Sequence, residues 1–168
     1  MIKTWREEIR SKLFNEPTRW RVGVFSCNVK DRGVYTDGSK LGKRDIAGSA
    51  SLFCEDGVVY AISERLEGEG MTNNIAELKS IINSLIYFNE KGDSIYSDSE
   101  YAIKAITGVN KVVKNKELIE DGKLLYEWYS ESKDEHGRGG IRVNHVKAHK
   151  GVILNEIADR LAQCAARG

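Results

Sequence analysis

The sequence predicts an α/β fold: a mixed β-sheet with helices packed on its faces. Three observations lead there. β-prone runs near residues 33–37, 48–54 and 57–64 follow one another with only turn-length breaks. After them, apolar stripes at helical spacing alternate with two further short β runs, in the order α-β-α-α-β-α. The 168 residues are 40% hydrophobic and 30% charged with a single proline, which suits one domain with a real core.

The elements follow in order. Residues 3–14 read as a short helix, because Trp5, Ile9 and Leu13 share one face and Pro17 stops it. Residues 20–29, with Trp20, Val22, Val24, Phe25 and Val29, have the makings of an extra strand. Residues 1–32 are therefore an N-terminal extension, and 33–168 the main domain. Glu55-Asp56-Gly57 is the hairpin turn between the second and third core strands. Gly68, Gly70 and Thr72-Asn73-Asn74 break the β pattern, and Ile75, Leu78, Ile82, Leu85 and Ile86 then carry a helical stripe to about residue 90, ended by Gly92. Ser94-Ile95-Tyr96-Ser97 is a short buried strand, and 99–107 a helix followed by a basic loop with Lys111, Lys114 and Lys116. A helix at 116–132 carries Leu118, Ile119, Leu125 and Trp128. A glycine-rich loop (Gly137, Gly139, Gly140), a strand at 141–146 and a helix at 154–166 complete the chain.

A net charge of +1 hides an uneven distribution. Residues 1–33 hold eight Lys/Arg against four acids, whereas 55–100 hold ten acids against three bases. Acids clustered without matching bases form either a solvated face or a cation site. The odd number and wide spacing of Cys27, Cys54 and Cys164 suggest reduced thiols in an intracellular protein. No apolar run reaches membrane-spanning length, and no signal-peptide core is visible at the N-terminus, so the expected location is intracellular: cytoplasmic, or nuclear in a eukaryotic or viral setting.

Four acids stand in comparable settings. Asp37 ends the apolar run Val34-Tyr35-Thr36 and is followed by Gly38-Ser39, which places a carboxylate at the end of a strand. An ordinary Asp-Gly turn is the alternative. Glu77 lies in the first turn of the helix after Asn74, where it could instead complete a capping box. Asp98 ends the strand 94–97 or simply begins the next helix. Asp159 lies one turn after Asn155 on the last helix, where a solvated polar residue is equally natural. Taken together they favour convergence. If the strands ending at Asp37 and Asp98 are parallel neighbours, both carboxylates reach one sheet edge, and the helix bearing Glu77 must cross that sheet. Carboxylates gathered without a basic partner repel and call for a cation. Oxygen-only ligands suit Mg²⁺ or Mn²⁺, and a pair of such ions is suited to phosphodiester displacement.

These segments are similar to type 1 ribonuclease H. The resemblance is carried by Thr36-Asp37-Gly38-Ser39, Thr72-Asn73-Asn74-Ile75-Ala76-Glu77-Leu78, Tyr96-Ser97-Asp98-Ser99-Glu100-Tyr101, Val113-Lys114-Asn115, and Val146-Lys147-Ala148-His149-Lys150-Gly151 with Asn155 and Asp159. It extends from about residue 33 to 166, and the combination is far more specific than any one piece. It implies a ribonuclease H-like fold with a five-stranded sheet in the order 3-2-1-4-5, strands 1, 4 and 5 parallel. It also implies an endonuclease that hydrolyses the RNA strand of RNA/DNA hybrids by two-metal-ion cleavage, leaving 3′-hydroxyl and 5′-phosphate ends. The implied partner is the hybrid duplex, with no membrane and a monomeric enzyme; the implied cofactor is two Mg²⁺ ions, with Mn²⁺ able to substitute.

Carried over by position, Asp37, Glu77, Asp98 and Asp159 are the implied metal ligands, and His149 the residue assisting proton transfer or product release. Asn73 and Asn74 match amides that read 2′-hydroxyls in the wide minor groove of a hybrid. Thr72 and Asn115 match residues that grip a DNA-strand phosphate, next to the start of the 116–132 helix. Gly38 and Ser39 complete the substrate-facing motif around Asp37. Lys111, Lys114, Lys147 and Lys150 would add nonspecific phosphate attraction.

The chain also departs from the family. Lys43 stands where many relatives have an Asn that contacts a 2′-hydroxyl, and Gly70 where some place an Arg. The loop from Ile106 to Lys114 is too short for the basic, Trp-bearing handle of bacterial relatives, so the chain resembles a handle-less variant in which the basic leader could substitute. Two other readings are a binding module that keeps the fold without turnover, and a DNA-acting nuclease or transposase of the wider superfamily. The first predicts a missing acid, and none is missing. The second leaves Thr72-Asn73-Asn74 without a purpose.

Overall fold

The computed structural model describes residues 18–24, 33–88, 94–108, 115–131, 140–147 and 152–168. The expected helix at 3–14, Gly92 and the glycine loop at 137–139 lie outside the described residues, as do His149, Lys111, Lys114 and Lys150. The elements are β1 (Thr18–Val24), β2 (Val34–Lys40), β3 (Ile46–Glu55), β4 (Val58–Glu67), α1 (Asn73–Tyr87), β5 (Ser94–Ser97), α2 (Glu100–Thr107), α3 (Lys116–Glu131), β6 (Arg142–His145) and α4 (Ile153–Arg167).

β2, β3 and β4 form an antiparallel meander. Its β3–β4 turn falls where Glu55-Asp56-Gly57 predicts it, with φ of 52° at Asp56 and 77° at Gly57, the double left-handed conformation of a tight hairpin. β5 pairs parallel to β2, and β6 parallel to β5. The sheet order is β1-β4-β3-β2-β5-β6. The last five strands of that order reproduce the expected 3-2-1-4-5 arrangement. The sixth is a correction to the five-strand expectation: β1, at 18–24 rather than 20–29, adds antiparallel to the free edge of β4, from Thr18 opposite Ser63 to Val24 opposite Val58. Part of the leader is thus built into the sheet, where it covers an edge that would otherwise present unpaired backbone groups.

Each strand offers alternate residues to opposite faces. On one face Val34, Phe53, Ile62 and Ile95 pack with Leu78, Ile81, Ile82 and Leu85 of α1, Ala102 and Ile106 of α2, and Ile119 and Leu125 of α3. On the other, Tyr35, Leu52, Val59 and Ala61 meet Leu154 and Ala158 of α4. Ile81, Ile82 and Leu85 are fully buried, each contributing roughly 2 kcal/mol of transfer free energy. Trp128, expected to join the buried side of its helix, is exposed beside Leu124 on α3 instead. Gly122, on the other side of the same helix, faces inward, where an added Cβ would meet Ile106 Cδ1, and lets α3 lie close to α1 and α2.

The cysteine expectation is also corrected. Cys54 is disulfide-bonded, while Cys164 is a free, exposed thiol. The number and spacing of cysteines along a chain do not reveal which thiols the fold brings together.

α4 crosses β3 very closely at Gly48: a Cβ added there would stand 1.9 Å from the Ala162 carbonyl oxygen and 2.7 Å from the Ala166 nitrogen. The contact is backbone on backbone, so no side chain can move aside. Gly48→Ala is expected to destabilise the fold by about 3 kcal/mol or more, since overpacking of this kind forces the helix off the sheet. Urea denaturation of the wild type and the variant checks this, and equal midpoints would contradict it.

Candidate active site

The tyrosines Tyr35 and Tyr96 are register partners in the parallel β2–β5 pair, and their rings stack at 4.9 Å. Two residues further along each strand direction stand Asp37 and Asp98. Period-two alternation returns Asp37 to the face of Tyr35, while Asp98 sits in the bend just past the end of β5. Thr36 Oγ1 donates to the Tyr96 carbonyl at 3.0 Å, tying the two strands together beneath the acids.

Asp37 does not end its strand, contrary to expectation. β2 continues to Lys40 against β3, whereas β5 stops at Ser97. Asp37 therefore lies where the parallel neighbour gives out, and the gap it leaves can be reached from both faces of the sheet. Nor is Gly38 a turn residue. It is in register opposite Ser49, and a Cβ there would lie 2.4 Å from the Ala76 carbonyl carbon and from the Glu77 nitrogen. Gly38 is needed for close approach, because it lets the first turns of α1 rest on β2.

α1 begins at Asn73 with Thr72 as its cap, the Thr72 Oγ1 accepting from Ile75 N at 3.1 Å. The expected Asn74 cap with Glu77 reaching back is thereby replaced. Starting two residues earlier moves Glu77 beyond the capping turn and turns its side chain toward the sheet. Asp37, Glu77 and Asp98 then offer one carboxylate oxygen each within 4.8 Å of one another. Asp37 is 4% exposed and Glu77 5%. The Asp37 Oδ1 accepts from Gly38 N at 2.9 Å, while Glu77 Oε2 is buried with no hydrogen-bond partner.

Asp159 lies outside that tight trio, on α4, with its Oδ2 accepting from Gln163 Nε2 at 3.0 Å. It is close enough to Asp37 to help raise that carboxyl's pKa. Burial first, then the Asp98 charge, pushes Asp37 up to about 8. Burial first, then Asp37, pushes Glu77 up to about 10. These groups resist ionising together in so little water. The orphaned Glu77 oxygen, the shared negative charge and the oxygen-only donor set all fit a hard divalent cation.

The expected substrate residues are placed as follows. Thr72, Asn73 and Asn74 are exposed at the start of α1, and Asn73 Oδ1 accepts from Lys40 N at 3.2 Å. Ser39 is half-buried, and Lys43 lies exposed in the turn between β2 and β3. Gly70 has φ of 78° with open space around it, which explains glycine at that position. Asn115 has φ of 58° and donates through Nδ2 to Tyr101 Oη at 3.3 Å, next to the start of α3. Lys116 and Lys147 are exposed.

Three contributors were not anticipated from sequence. Gln163 could have been found, because it is four residues after Asp159 on one helix face. Thr36 and Tyr101 reach their partners across strands and loops, with no signal in the local pattern.

Fold and carboxylate cluster together define a hydrolase of the RNase H architecture. The chain belongs to the RNase H family, whose profile matches residues 30–167. It is 34% identical over 140 residues to the ribonuclease H of Neorickettsia sennetsu, an overlap covering 77% of this chain and 89% of that protein. With the ribonuclease HI of Haemophilus ducreyi it shares 30% identity over 159 residues, 82% of this chain and 92% of the relative. Among solved structures, LC11-RNase H1 in complex with an RNA/DNA hybrid shares the fold, with a TM-score of 0.59 at 22% identity, over 80% of this chain and 95% of that one. No described helix is long and apolar enough to cross a membrane.

The raised carboxyls make the cation-free protein sensitive to pH. A carboxyl with a higher pKa folded than unfolded binds more protons in the native state, so stability falls as pH rises from about 4 toward 8. In EDTA, stability is expected to drop by about 2 kcal/mol or more between pH 5 and 8. Glu64, which burial raises to about 7, contributes in the same direction, so the comparison that isolates the cluster is wild type against Asp37→Asn. The variant should show the shallower slope. Identical slopes would show that the Asp37 carboxyl is not repelled.

Proposed function

We propose that this chain is an endonuclease that hydrolyses the RNA strand of RNA/DNA hybrids, with two Mg²⁺ ions as cofactors and 3′-hydroxyl and 5′-phosphate ends as products. The observation that carries the reading is the meeting of Asp37, Glu77 and Asp98 within 4.8 Å on an RNase H fold, with one buried Glu77 oxygen lacking a partner. Asp37, Glu77, Asp98 and Asp159 would hold the ions. When bound, the ions orient and activate the attacking water and stabilise the leaving oxygen. Asp37, buried, and Asp98, half-buried, would act on the scissile phosphate through the cation they hold, since bare carboxylates repel it.

Hybrid selectivity is assigned to the start of α1. Asn73 commits its Oδ1 to Lys40 N, which leaves its amide N–H₂ as the end that can reach a 2′-hydroxyl. Asn74, exposed beside it, presents a second amide. The hybrid bound by LC11-RNase H1 supports the same substrate class for this chain. Asn115, oriented by Tyr101, and the exposed Thr72 are assigned to a phosphate of the DNA strand, with the amino end of α3 adding a favourable dipole. Lys43, in the β2–β3 turn, is assigned to backbone contact rather than to reading, since an ammonium attracts phosphate without specifying sugar. His149, within Val146-Lys147-Ala148-His149-Lys150-Gly151, is assigned to proton transfer or product release, and the domain proper to residues 33–168. The protein is taken to act as a monomer inside the cell.

The test is cleavage of labelled RNA/DNA, RNA/RNA and DNA/DNA duplexes with Mg²⁺ or EDTA. Only the RNA strand of the hybrid should be cut, and only with metal. Asp37→Asn and Asp98→Asn should lose activity by at least about three orders of magnitude, roughly 4 kcal/mol of barrier. His149→Ala should slow turnover by about 10- to 100-fold, within the range of a general acid or base. Cutting of DNA/DNA would move the protein to the DNA-acting branch of its superfamily. Hybrid binding without cutting would make it a binding module.

A further inference from the structure

A polar seam runs between the sheet and α1, on the opposite side of that helix from the active site. Ser49 of β3 is in register with Gly38 of β2 on one side and Glu64 of β4 on the other. This one row across three strands therefore starts at the glycine on which α1 rests and ends at a carboxylate. Glu64 is 8% exposed, and its Oε1 lies 3.7 Å from Lys79 Nζ of α1. Asn83 Nδ2, one turn on from Lys79, reaches Ser49 Oγ at 3.5 Å. Ser51 Oγ donates to the Ser80 carbonyl at 2.8 Å, and Ser80 Oγ to the Glu77 carbonyl at 2.7 Å. A buried ion pair costs desolvation and is weak evidence of a stability role. Burial pushes Glu64 up to about 7 and Lys79 down to about 8, and each opposes the other's shift through its own charge.

Helix geometry suggests what the pair does. Lys79 follows Glu77 by two residues, which at 3.6 residues per turn is about 200° around the axis. Glu77 points to the gap beside Asp37, so Lys79 points away from it toward β4. The glycine gives α1 no side-chain stop at that contact, so its exact rotation is set by the contacts on its flanks. We propose that the Glu64–Lys79 pair is a positioning device that fixes the rotation of α1 about its own axis and so aims the Glu77 carboxylate at Asp37 and Asp98. The proposal rests on the hydrolase reading above. It adds two residues that touch neither the cation nor the substrate.

The experiment compares wild type, the neutral double variant E64Q/K79M and the conservative Lys79→Arg. Tm is measured in EDTA and across a Mg²⁺ titration, alongside kcat and KM on the hybrid. Each single neutralisation would leave the other charge without its partner in this pair, so the double variant is the informative one. Its Tm in EDTA should stay within a few degrees of wild type, while the Mg²⁺ concentration giving half the thermal shift rises at least fivefold. kcat at low Mg²⁺ should fall by a similar factor and recover at high Mg²⁺, with KM for the hybrid unchanged. Lys79→Arg should behave as wild type. A double variant with wild-type Mg²⁺ half-saturation overturns the proposal. So does one that fails to fold, since the pair would then be structural. If wild type itself shows neither a Mg²⁺ shift nor hybrid cleavage, the functional reading fails instead, and the two failures are told apart.

Discussion

The structure depends on a close approach of backbone to backbone at Gly38. With no side chain there, the first turns of α1 rest directly on β2, and a Cβ would collide with Ala76 and Glu77 at 2.4 Å. That contact brings a helical carboxylate to the one place where β2 has lost its parallel neighbour. Everything distinctive about the site follows from it. Asp37 and Asp98 arrive there by strand register, Glu77 by the helix, and Asp159 from the opposite face on α4. Gly48 performs the matching service for α4, so both flanking helices are seated on glycines of adjacent strands.

The arrangement is costly without a cation. Two of the acids are almost fully buried, their charges face each other, and no described base lies among them. Such strain is common where a protein keeps charge ready for chemistry, and it persists because the surrounding sheet and helices are firmly packed. The large apolar face under α1, α2 and α3 supplies that packing. The polar seam at Glu64, Lys79, Asn83 and Ser49 sits inside the same interface, where apolar residues alone would have permitted more ways to pack. Directional contacts there add to the apolar packing that seats the helix.

Much of this was readable beforehand, for physical reasons that can be named. That Asp37 and Asp98 would meet if their strands were parallel neighbours could be read from two apolar runs each leading to an acid, but the parallel pairing itself came only with the family resemblance. The hairpin at Asp56-Gly57 was visible because few dipeptides tolerate two left-handed residues. What stayed hidden depends on distance in space rather than along the chain. Gly38 looked like a turn because an Asp-Gly pair gives no hint that a helix lies against it. Thr72 and Asn74 are both good caps, and only the helix start decides between them. Trp128 fitted an apolar stripe yet faces outward. β1 pairs with β4 although some forty residues separate them, and neither the Cys54 disulfide nor the Glu64–Lys79 pair has any local signature.

The central claim is that these carboxylates form a cation site created by their convergence. Calorimetric titration of Mg²⁺ and Mn²⁺ into the wild type and Asp37→Asn, near neutral pH and without nucleic acid, tests it most directly. The account predicts saturable binding with proton release in the wild type, since raised carboxyls must ionise to bind, and loss of that signal in the variant. Equal heats in the two proteins, or none in either, would contradict it.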